Sequence, residues 1–150
     1  MNKIKSIIFL SPILCTLLGL GSAISAQRSA EELHVNLKIN VKDLDVREGR
    51  IMIAVYNSPN TFLKKAFKTS SIAVDSLSVP SVGINLPQGV YAVSLFHDTN
   101  KNGRLDLGSF GIPTEKYGFS NNTEGFMGPP SFKSSSFRVV RDTTITITLQ

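Results

Sequence analysis

Residues 33–42 alternate without a break: Leu33, Val35, Leu37, Ile39 and Val41 are apolar, and His34, Asn36, Lys38, Asn40 and Lys42 are polar. Successive side chains of an extended strand point to opposite faces. Such a run therefore has one face for a core and one for water, and it predicts a half-buried strand. Ile51, Ile53 and Val55 carry the period into a second strand over residues 50–56. There Met52, Ala54 and Tyr56 make the other face apolar as well, so this strand is expected to be central. The charged stretch between them ends in Gly49 and reads as a turn.

Further runs follow. Residues 71–77 and 79–86 are short and β-prone. Pro87-Gln88-Gly89 is a tight turn into an apolar strand that ends at His97. Both faces of that strand are apolar, which places it inside a sheet. Residues 136–140 and 143–149 predict two last strands, with Ile145, Ile147 and Leu149 inward. One segment breaks the pattern. Ser58-Pro59 is an N-cap followed by proline at the first helical position, and Phe62, Leu63, Ala66 and Phe67 recur at helical spacing. A short helix is expected over residues 59–67, with Phe62 and Phe67 filling core. About seven strands and one short helix predict an all-β fold, an antiparallel Greek-key β-sandwich of the immunoglobulin-like kind.

The start of the chain has a different logic. Lys3 and Lys5 precede an apolar stretch over residues 7–20, and Gly21, Ser22, Ala23, Ser25 and Ala26 follow. This is the layout of a secretory signal peptide, with cleavage after Ala23 or Ala26. The stretch is short for a membrane span of about 20 residues, so no transmembrane segment is expected after cleavage. Cys15 is the only cysteine. Ile13 and Leu14 before it do not suit a lipid-attachment site. A mature chain of residues 27–150 would be one domain without disulfides or thiolate chemistry. Loss of Lys3 and Lys5 lowers the formal charge from +5 to +3. The basic residues are scattered, which gives no footprint for nucleic acid. The expected location is the periplasm, the cell envelope or the exterior.

Residues 98–134 carry no clear period and form a long loop. Loops of this length are usually functional or mobile. It begins Asp98-Thr99-Asn100-Lys101-Asn102-Gly103-Arg104-Leu105-Asp106. Oxygen-bearing side chains stand at positions one, three, five and nine, and glycine at six. Calcium takes six to eight oxygens, and alternate side chains let a short loop curl around it. The candidate ligands are Asp98, Asn100, Asn102, the carbonyl of Arg104, and Asp106, with Glu115 the nearest candidate to complete the shell and Glu124 another. The spacing follows the start of an EF-hand loop, but Ser109 stands where that loop has glutamate. Few carboxylates imply weak binding, about 10⁻⁴ to 10⁻³ M. Asp, Asn and Gly also build ordinary metal-free Asx turns, so both readings stand.

The stretches LPQGVYAVSLFHDTNKNGRLD, GIPTEKYGFSNN and GPPSF resemble the bacterial exported family called domain of unknown function 2141. The resemblance runs over residues 35–149. It implies a transthyretin-like, prealbumin-type sandwich and an envelope location, and it implies no activity.

His97 and Asp98 are neighbours on a strand and point to opposite faces, so they do not form a dyad. The chain has no nucleophile elbow, no zinc-protease motif and no phosphate loop. The expected function is a non-catalytic binding or structural module, with an envelope protein, glycan or lipid as partner. The alternative is a small, carbohydrate-active hydrolase using acids near Asp98 and Glu115. Tyr117, Phe119, Phe126 and Phe132, with Phe110, are the candidate partner surface. The favoured alternative is that the same rings tuck under the loop as a satellite core, since such clusters under long loops are common.

Overall fold

The computed structural model describes residues 33–74 and 79–150. The expected signal peptide lies outside the described residues. The protein is mostly β, with eight strands in two sheets and one short helix among the described residues. In chain order the strands are β1 (His34–Lys42), β2 (Arg50–Tyr56), β3 (Lys68–Ala73), β4 (Ser81–Pro87), β5 (Gly89–Asp98), β6 (Tyr117–Phe119), β7 (Phe137–Val139) and β8 (Thr143–Thr148). The helix, α1, is Phe132–Ser135.

The alternation seen in the sequence dictates what each sheet buries. One sheet has the order β4-β1-β8 and contributes Leu37, Ile39, Val41, Ile84, Leu86 and Ile147. The other has the order β3-β2-β5-β6, with β7 also on β5, and contributes Ile51, Ile53, Val55, Val93, Leu95 and Val139. These residues form one continuous core. At about 25 cal/mol per Å² of apolar surface removed from water, this shared burial is the main force holding the sheets. The expected central positions of β2 and β5 agree with this order. β2 lies between β3 and β5, and β5 lies between β2 and the β6–β7 edge.

Three expectations need correction. The sheets are not wholly antiparallel, because β1 and β8 pair in parallel, with Ile39 opposite Ile145. No hairpin joins these strands, so nothing local fixes their relative direction. The helix expected over residues 59–67 is a single turn, closed by Lys65 N–H to the Thr61 carbonyl at 2.9 Å. Leu63 then takes the left-handed conformation at φ 57°, which no α-helix continues through. The chain must return at once, since Phe67 N–H bonds to the Val55 carbonyl at 2.8 Å to open β3. Phe62 is buried as expected, whereas Phe67 lies 45% exposed. Finally, β3 begins at Lys68 rather than at 71, and part of the expected 71–77 strand lies outside the described residues.

The 98–134 segment is not one structureless loop. It holds β6, which pairs Tyr117 with Phe96 and Phe119 with Ser94, and the start of α1. Between β6 and β7 the edge of β5 would be left without a partner at Val93. The buried Ser120 hydroxyl fills that place. It accepts the Val93 N–H at 2.8 Å and lies 2.5 Å from the Ser135 carbonyl, to which it donates. A buried N–H without such a partner costs about 1–3 kcal/mol.

Candidate functional site: the Asp98 loop

β5 ends at Asp98, and the sheet pleat sends its last two side chains opposite ways. His97 points inward, where Nε2 lies 2.7 Å from the Glu48 carbonyl oxygen. A carbonyl only accepts, so Nε2 carries the proton. Asp98 points outward, yet it is only 1% exposed, because the loop folds back over it. Its Oδ1 accepts the Asn102 N–H at 3.0 Å, and its Oδ2 accepts the Gly103 N–H at 2.9 Å. Gly103, at φ 80°, makes the sharp turn expected of it.

Alternate side chains continue the curl. Asn100 Oδ1 accepts the Asn102 N–H at 3.1 Å, and Asn102 Oδ1 accepts the Arg104 N–H at 2.9 Å. The other ends of both amides meet Asp106. Asn100 Nδ2 donates to Asp106 Oδ2 at 2.7 Å, and Asn102 Nδ2 donates to both oxygens at 2.9 and 3.0 Å. The sequence-predicted Asp98, Asn100, Asn102 and Asp106 thus form one network. Arg104 joins it through its N–H.

Glu115 has another place in the arrangement. Its Oε1 accepts the Thr99 N–H at 3.0 Å and its Oε2 accepts the Asp106 N–H at 3.1 Å. One carboxylate therefore clamps the first and last turns of the loop from beneath, with both oxygens engaged on backbone. Just beyond it, Lys116 pairs with Asp45 at 2.9 Å, an exposed pair worth little.

The four rings expected as a partner surface separate. Phe119 is buried, and Tyr117 and Phe132 are half-buried against it in a second core with Tyr56, Phe62 and Ala92. Phe62 is the hub, 5.1 Å from Tyr56 and 5.7 Å from Phe132 between ring centres, both edge-to-face. Of the two readings, these three rings follow the satellite core and not the partner surface. Phe126 is 92% exposed, with Met127 beside it at 94%. Phe110 is 100% exposed, and Leu107 and Ile112 flank it in solvent.

A family model described as "uncharacterized protein conserved in bacteria (DUF2141)" matches residues 39–148. The chain belongs to that family. No curated protein and no solved structure matches the chain. The match spans the Asp98 loop, the second core and most of both sheets.

Two features of this family domain escape sequence reasoning. Ser120 looks like any loop serine, and its partners are 27 and 15 residues away. Glu115 stands 16 and nine residues from the backbone it clamps. Its only sequence signal is a lone acid following the Asp/Asn run.

Among the described residues, no group of three or more His, Cys, Asp or Glu side chains could hold a metal ion. A hard cation here would rest on amide and carbonyl oxygens as well as carboxylates. Both amides already face Asp106, with Asn100 Nδ2 and Asn102 Nδ2 each 2.7–3.0 Å from its carboxylate oxygens. Turning the two amides would place oxygens where nitrogens now face Asp106, at the loss of the Asx-turn bonds.

Proposed function

We propose that this is an exported, non-catalytic binding module of the bacterial cell envelope, folded as a single Greek-key β-sandwich of transthyretin-like type after removal of a leader at Ala23 or Ala26. The observation that carries the reading is the pair of apolar tips, Phe110 and Phe126 with Met127, held in water beside firmly bonded segments. Large apolar side chains clustered in solvent mark interaction surfaces. The non-catalytic reading draws support from Asp98 and Glu115, whose oxygens are all engaged by backbone N–H groups. These are the bonds of groups that hold a loop. The two tips give a direct test. Phe110→Ser with Phe126→Ser should leave the melting temperature unchanged and shift the protein from the envelope fraction to the soluble fraction. Unchanged partitioning would remove the tips from the account.

The 98–106 loop is proposed to hold calcium weakly through Asp98, Asn100, Asn102, the Arg104 carbonyl and Asp106, with Glu115 clamping the loop beneath. Calcium would neutralise Asp98 and Asp106 and stiffen the turn. At a thirtyfold excess over Kd, binding to the folded state alone should add about 2 kcal/mol. The check is a melt of the purified protein in calcium against chelator, with Asp106→Ala as control. Identical melting curves would assign the loop to a metal-free Asx-turn network.

A further inference from the structure

The outer face of the larger sheet is not flat. The Asp98 loop folds over one end of it, and the turn after β2 rises at the other. Between them lies a cleft of about 520 Å³, within the 300–1,000 Å³ of small-molecule sites. Two cross-strand rows make its floor. Ser71, Met52 and Phe96 stand side by side on β3, β2 and β5, and Thr69, Ala54 and Ser94 form the next row. Gly103 closes one end and Tyr56 lies at the other. Ala54 and Ser94 are small, so the floor dips where the sheet is central.

The chemistry of the lining narrows the occupant. None of the lining side chains is charged, so nothing there matches a charged ligand. The backbone groups beneath are already used in the β2–β3 and β2–β5 ladders. An extended peptide, which is recognised through such groups at a sheet edge, has nothing to pair with on this face. A lipid tail would want an unbroken apolar floor. Here the hydroxyls of Thr69, Ser71 and Ser94 interrupt it, and none makes a hydrogen bond with the described protein. The Phe96 ring lies half-buried among them without a ring partner. Free hydroxyls beside an apolar ring face fit a ligand that alternates hydroxyl groups with C–H faces.

We propose that this cleft binds a neutral oligosaccharide, with Phe96 under the C–H face of a sugar ring and Ser71 and Ser94 hydrogen-bonded to its hydroxyls. The proposal rests on the reading of this protein as a binding module and gives that module a ligand class. From Met52 to Tyr56 the floor is about 14 Å of strand, which suits a short run of sugar rings.

The test is an NMR titration of the full domain with neutral hexasaccharides derived from cellulose, chitin, mannan and starch at millimolar concentration. The expected result is saturable shifts at Met52, Ala54, Ser94, Phe96 and Gly103 with at least one of them. Ser94→Trp fills the cleft and should weaken binding at least about tenfold. Ser71→Arg on the edge strand β3, where bulk is easily accepted, should do the same. The proposal is overturned if no neutral hexasaccharide shifts these residues, if the shifts fall elsewhere, or if binding survives both variants. Shifts here with an apolar peptide or lipid micelle but no sugar would overturn it equally. Failure on sugars together with loss of envelope partitioning in the Phe110 and Phe126 variant would sink the cleft and keep the binding module. Saturable cleft shifts with unchanged partitioning in that variant would support the cleft and remove only the tips from the account.

Discussion

Replacing Asp98 with alanine should lower stability by about 3 kcal/mol, or roughly 10 °C in melting temperature for a domain of this size. The side chain is 1% exposed and accepts two backbone N–H bonds from the turn that covers it. Hydrogen bonds to a charged acceptor are each worth about 1.5–3 kcal/mol. The Asn102 N–H keeps the Asn100 oxygen at 3.1 Å, so part of its loss is recovered. The Gly103 N–H has no second acceptor among the described residues. Asp98→Asn keeps the shape but sets an amide N–H against a backbone N–H, and should cost less, about 1–2 kcal/mol. Hydrogen exchange gives the local readout. In Asp98→Ala the Gly103 amide should exchange faster by more than the global loss accounts for, while β1 amides should follow the global loss. A destabilisation below about 0.5 kcal/mol would mean that water replaces the carboxylate without penalty.

The oxygen spacing that makes Asp98 legible in the sequence is local, and locality decides what could be read. Alternation over residues 33–42 and at Ile51, Ile53 and Val55 identifies β1, β2 and much of the shared core, because a strand's two faces are set by neighbours in sequence. The direction of β8 depends on which end of the smaller sheet the chain enters after a long detour, and Ile145 carries no mark of it. The region around Phe62 carries a true helix start, with Ser58 Oγ accepting the Asn60 N–H. The need to pair Lys68 with Val55 ends it after one turn. β6 is three residues long, too short for any period, and is held by its place on the β5 edge. The candidate site divides the same way. Asp98, Asn100, Asn102, Gly103 and Asp106 stand in register by sequence alone, whereas Glu115 acquires its role only when β6 runs back along β5. Tyr117, Phe119 and Phe132 read as satellite core or partner surface, and nothing in the sequence marks Phe62, from a distant turn, as the ring they pack around.

Gly49 carries the second large effect. It sits in the turn before β2 with φ 83°, a conformation that costs a residue with a Cβ about 1–2 kcal/mol. Space is the larger problem. A Cβ there would lie 2.5 Å from the Asp98 carbonyl oxygen and 2.8 Å from the Thr99 Cα. Both are backbone atoms at the start of the loop, and neither can swing aside as a side-chain end would. Overpacking of this kind costs about 1–3 kcal/mol. Gly49→Ala should therefore lose about 4 kcal/mol in urea unfolding, more than Asp98→Ala. The strain also has a direction. Moving Asp98 and Thr99 outward pulls Thr99 N–H away from Glu115 and opens the clamp, so calcium should stabilise this variant less than the parent. Asp98→Ala relieves no part of the clash, because the contact is with backbone, and the two losses should not cancel when combined. If Gly49→Ala melts within about 0.5 kcal/mol of the parent, the turn before β2 must yield without moving the loop, and the coupling of the two would be lost.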